Sequence, residues 1–128
     1  MSTHAAPLTP DLETFLAPVF ERKPAGITAI DVRDLTSYTD TIVIVEGTSR
    51  RQVTSLAEHL IRRLKDRQIK PMGMEGIKEG EWALLDYGDI VIHLFESGAR
   101  EFYNLEGLWA DAPRIDLDRS NTAAGSGI

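Results

Sequence analysis

Asp86, Asp89 and His93 fall close together in "EWALLDYGDIVIHLF", residues 81–95 of a 128-residue chain. Two carboxylates and an imidazole are the ingredients of metal binding or general acid–base chemistry. With Ser49 brought alongside they could also form a hydrolytic triad. The spacing argues against each. Magnesium-dependent phosphotransfer of the nucleotidyltransferase kind needs two carboxylates one residue apart on a strand, because period-two geometry then projects both from one face. Asp86 and Asp89 instead lie three apart across a turn that sends them in different directions, and "PMGMEG" offers Glu75 as its lone carboxylate. The turn Gly47-Thr48-Ser49 joins a strand to a helix N-terminus, where backbone N–H groups can hold an anion. It supports an alternative function, a nucleotidyltransferase-like or phosphate-binding enzyme, but it lacks the Gly-Lys-Ser/Thr of a P-loop. His4, His59 and His93 have no partner at metal-ligand spacing, and no nucleophile-elbow pattern surrounds Ser49. No catalytic residue, metal ligand or cofactor is expected.

Trp82 raises a different chemistry. In "EWALLDYGD" the period of two puts Trp82, Leu84 and Asp86 on one face of a strand and Ala83, Leu85 and Tyr87 on the other. If Ala83 and Leu85 pack under a helix, the opposite face is either a second core or an open patch with two apolar anchors beside an acid. Covering an exposed tryptophan removes on the order of 200 Å² from water, up to roughly 5 kcal/mol before ordering costs. Pattern alone leaves both readings open.

The elements that position these residues follow from periodicity. "PDLETFLAPVFERK" (10–23) predicts a helix with Pro10 at its first position and Leu12, Phe15, Leu16 and Val19 on one side; Pro18 is expected to kink or split it. "AGITAIDVRDL" predicts a strand, and "TIVIVEG" a strand buried on both faces. In "TSRRQVTSLAEHLIRRLKDRQ" the residues Val53, Leu56, Ala57, Leu60, Ile61 and Leu64 form one helical stripe, with Ser49 and Gln52 as a capping box. "KPMGMEG" predicts a short strand, "DYGD" the bend of a hairpin, and "SGAREFYNLEGLW" a last helix capped by Ser97. From Asp111 to Ile128 the periodicity fades, and residues 111–128 read as a disordered tail after a single domain over 1–110. The order α-β-β-α-β-β-β-α implies an α/β sandwich with a mixed sheet of about five strands.

Composition narrows the function further. There are no cysteines, which excludes disulfides and thiolate sites. No apolar run approaches a membrane span and no signal-peptide layout is present, so a cytoplasmic location with no membrane partner is expected. A net charge of −6 argues against sequence-specific or backbone-driven nucleic-acid binding. Residues 49–74 carry seven Lys/Arg against two Asp/Glu, while residues 75–118 carry three against eleven. That division suits an acidic surface meeting a basic partner, or pairing of unlike regions between copies.

The segments "SYTDTIVIVEGTSRRQV", "GMEG", "EWALLDYGDIVIHLF" and "FYNLEGLW" occur in this order across roughly residues 9–110. In content and spacing the chain resembles the ribosomal silencing factors related to Iojap. The resemblance implies a nucleotidyltransferase-like fold without the metal-binding carboxylate pair. It also implies a non-enzymatic factor that binds universal protein fourteen of the large ribosomal subunit and blocks joining to the small subunit when nutrients are scarce. Homodimers are a further implication. Combined with the strand pattern, it makes Trp82 and Leu84 the expected apolar anchors and Asp86 the acid facing Arg or Lys on the partner. Tyr103 and Glu106 are further partner-binding candidates, while Trp109 is expected to pack.

Overall fold

The computed structural model describes residues 10–99, 104–105 and 107–117. The chain forms α1 (Pro10–Glu21), β1 (Gly26–Asp31), β2 (Thr41–Gly47), α2 (Arg50–Lys65), β3 (Gly73–Glu75), β4 (Trp82–Asp86) and β5 (Ile90–Glu96). The strands make one mixed sheet in the order β1-β2-β5-β4-β3. The central pair, β2 and β5, runs parallel, and the other pairings are antiparallel. Both central strands are buried along nearly their whole length, as the continuous β-branched run of β2 anticipates.

Period-two alternation divides the side chains between two apolar layers. Val43, Val45, Ala83, Leu85, Ile92 and Leu94 face α1 and α2, meeting the helical stripe Val53, Leu56, Ala57, Leu60 and Leu64 and the α1 residues Leu12, Leu16 and Val19. On the other face Ile30, Val32, Ile42, Ile44 and Phe95 form a smaller layer. No helix from the first half of the chain reaches it. Its cover comes instead from Ala99, Leu105, Trp109 and Ala112.

The helix ends follow local chemistry. Ser49 caps α2 by accepting the Gln52 N–H at 3.1 Å. The Gln52 side chain reaches back to the N–H and hydroxyl of Thr48, one residue before the cap, rather than to the N–H of Ser49 itself. Pro18 lies inside α1 and does not split it. The one bond a proline cannot donate is offset by Leu16 and Val19, both sealed against the core on either side of it.

Residues 111–117 differ from the expected tail. Asp31 N–H donates to the Pro113 carbonyl at 2.8 Å, and Ile115 N–H donates to the Ala29 carbonyl at 2.8 Å. These bonds form an antiparallel bridge between Ile30 and Arg114 along the free edge of β1. Ala112 is buried, and Ile115 and Leu117 pack on the helical layer. Loss of periodicity misled here because a strap that pairs over few residues needs no repeating pattern. Residues 118–128 lie outside the described residues. So do residues 100–103 and 106 of the expected last helix, Tyr103 and Glu106 among them; residues 104–105 and 107–108 are helical as expected. Ser97 sits in the turn that follows β5, its hydroxyl donating to Glu46 Oε1 at 3.0 Å.

Candidate functional site

β4 and β5 form the expected hairpin, with Trp82 opposite Phe95, Leu84 opposite His93 and Asp86 opposite Val91. Phe95 belongs to the layer away from the helices, so Trp82, Leu84, Asp86 and His93 share that face. The three residues expected to act together are therefore brought onto one surface. The strap covers the β1–β2–β5 side of this face but not the β4 side. Trp82 remains 44% exposed, Leu84 and Asp86 are half-buried, and Leu84 belongs to neither apolar layer.

The indole is partly covered by its own sheet. It stacks on Phe95 with ring centroids 5.2 Å apart and lies beside His93 with centroids 6.0 Å apart, while 44% of the residue stays exposed. Trp82 Nε1–H donates to His93 Nδ1 at 3.1 Å. Burial lowers the His93 pKa to about 4, so the ring is neutral at physiological pH.

The hairpin tip is set by Gly88, whose φ of 89° only glycine adopts without strain. Its N–H donates to Asp86 Oδ1 at 2.8 Å, so one carboxylate oxygen shapes the turn. The other oxygen has no partner among the described residues and can face a cation. Thr39 Oγ1 donates to the Gly88 carbonyl at 2.9 Å and Asp40 N–H to the Asp89 carbonyl at 3.1 Å, fastening the β1–β2 loop to the tip. This brings exposed Tyr38 near Asp86, whose charge adds to burial in raising the phenol pKa. From the other side Met72 N–H donates to the Asp86 carbonyl at 2.6 Å, with the Met72 side chain exposed. Sequence reasoning missed Tyr38 and Met72 because both lie in connections without a period. An aromatic inside the turn-rich "TSYTD" was the only signal.

The chemical constellations do not assemble. Ser49 Oγ is engaged with its helix, His93 with Trp82, and His59 lies between α1 and α2, its Nε2 2.8 Å from Glu21 Oε1 and its Nδ1 3.2 Å from Arg22 Nη2. Thr48 N–H at the Gly-Thr-Ser turn is taken by Gln52. Among the described residues no three His, Asp or Glu side chains converge as a metal site. No described helix is long and apolar enough to cross a membrane.

Comparison with known proteins agrees with this architecture. The family model for the ribosomal silencing factor during starvation, RsfS, matches residues 6–127. The ribosomal silencing factor RsfS of Bacillus subtilis (strain 168) is 37% identical over 98 residues, 77% of this chain and 83% of that protein. The mouse protein named mitochondrial assembly of ribosomal large subunit protein 1 is 32% identical over 102 residues, 77% of this chain and 45% of that one. A crystal structure of a Bacillus halodurans protein superposes with a TM-score of 0.75 at 30% identity, covering 83% of this chain and 96% of that one. With a five-stranded mixed sheet under two helices and a match over nearly its whole length, the chain belongs to the ribosomal silencing factor family.

Proposed function

We propose that the chain represses translation by occupying a surface rather than by catalysing a reaction. It docks through Trp82, Leu84 and Asp86 on universal protein fourteen of the large ribosomal subunit, and so excludes the small subunit under nutrient limitation. Tyr103 and Glu106 are further partner-binding residues in this reading, on the strength of the family resemblance alone. The free protein is a cytoplasmic homodimer, and docking needs no cofactor.

The observation that carries this reading is the uncovered stripe on the sheet face away from the helices, where a 44% exposed indole lies beside Leu84 and a carboxylate with a spare oxygen. Such a stripe suits a partner offering an apolar recess next to Arg or Lys. Family membership and the large-subunit name carried by the mouse relative support the choice of particle. Covering the rest of the indole removes on the order of 100 Å² from water, roughly 2–3 kcal/mol.

Co-sedimentation with purified large subunits tests the proposal. Trp82→Ala is expected to weaken binding by about thirty-fold or more, the equivalent of that energy. Its circular dichroism should stay near wild type. A folded Trp82→Ala protein that sediments with large subunits like the parent would remove the basis for the docking role.

A further inference from the structure

His93 stands out among the side chains that no function has yet absorbed. It is 8% exposed in the middle of the open face, and a buried imidazole on an apolar strand needs a reason to be polar. Its partner is the indole of Trp82, the residue on which docking depends. An indole N–H can only donate, so His93 Nδ1 must be the acceptor and the ring proton must sit on Nε2. The rings of His93 and Phe95 are parallel to within 5° with centroids 6.1 Å apart, and the indole contacts both. The indole lies at 29° to the first and 23° to the second. Stacking alone leaves a ring free to turn in its plane, whereas the hydrogen bond selects one orientation.

We propose that His93 is a positioning residue for docking: its Nδ1 holds the Trp82 indole along the sheet, so that the outer ring face meets the partner already ordered. This rests on the docking role of Trp82 and adds a reason for its geometry. An exposed tryptophan without such a tether samples several rotamers and must be ordered on binding, which weakens association. Burial keeps His93 neutral through the physiological range, so the acceptor stays available.

The experiment compares His93→Phe with His93→Asn. Phenylalanine keeps a stacked ring but has no acceptor; asparagine places a carbonyl oxygen near the Nδ1 position. In nitrogen–proton NMR spectra the phenylalanine variant is expected to lose the hydrogen-bonded shift and the exchange protection of the Trp82 indole N–H. Its affinity for purified large subunits should fall by about ten-fold. The asparagine variant should restore both. Ring-nitrogen shifts of wild-type His93 provide a check that needs no variant, with Nδ1 unprotonated and Nε2 protonated. The opposite tautomer, or a folded phenylalanine variant that binds like wild type, would overturn the assignment. If Trp82→Ala itself leaves docking intact, the docking role fails, while the indole and imidazole spectra still report separately whether the tether exists.

Discussion

At the scale of single residues, the burial of His93 has a consequence for stability against acid. Its pKa is about 4 in the folded protein and 6.5 in the unfolded chain. Above pH 6.5 neither state holds the proton. Between pH 6.5 and 4 the unfolded chain binds it and the folded protein does not, so acidification favours unfolding across that window. The loss approaches about 3 kcal/mol near pH 4. Urea midpoints measured from pH 7 to pH 4 should fall more steeply for wild type than for His93→Asn, which has nothing to protonate. Parallel slopes would show that His93 titrates as a solvated imidazole. Tyr87 presents the reverse case. Its hydroxyl is buried without a partner among the described residues, and desolvation raises its pKa to about 12. Since the phenol forfeits its water without regaining a bond, Tyr87→Phe should stabilise the fold by about 1 kcal/mol. Thermal melts would show this as a higher midpoint. The ring packs edge-on against Phe15 and would keep that contact.

At the scale of elements, the approach of β3 to β4 depends on Gly76. Its φ is +73°, and a Cβ there would run into the Trp82 carbonyl oxygen, which is fixed in the strand that presents the indole. Gly76→Ala should therefore cost about 2–3 kcal/mol by combining backbone strain with displacement of β4. It should also weaken docking without touching any exposed side chain. Urea titration with a parallel co-sedimentation series would reveal both effects, and an unchanged midpoint would show that β4 shifts without cost. The position of "GMEG" just ahead of the hairpin was readable in the sequence, but its close approach was not. What could be read were the elements whose pattern repeats: the α2 stripe, the doubly buried β2, and the alternation that puts Trp82, Leu84 and Asp86 together. What could not be read was set by bonds between distant segments. Thr39 reaches Gly88 across 49 residues, and this places Tyr38 near Asp86 at the hairpin tip. The alternation likewise identified a shared face without showing whether that face is covered. Part of that cover, Leu105 and Trp109, has the spacing of the expected last helix, but Ala112 and the strap that follows it have no period.

At the scale of the molecule, two unequal covers decide where the sheet stays open. The helices seal one face along the whole core, while Ala99, Leu105 and the strap of residues 107–117 seal only the side of the other face nearest β1. The strap does two jobs there. It lays Trp109 and Ala112 over Ile30, Ile42, Ile44 and Phe95, and it takes up the free edge of β1 through two backbone bonds, an edge that could otherwise pair with another chain. Because it stops short of β4, the indole stays accessible. A chain ending at Ala110 tests this division. It loses the buried Ala112, the apolar contacts of Ile115 and Leu117 and both edge bonds, together worth about 2–4 kcal/mol. Its urea midpoint should fall accordingly, and its newly free β1 edge should raise the tendency to self-associate in light scattering. Docking by the folded fraction should persist, since Trp82, Leu84 and His93 hold one another without help from the strap. If truncation instead abolished co-sedimentation while the fold remained intact, the strap itself would be part of the contact surface, and the docking face would extend across β5 to β1.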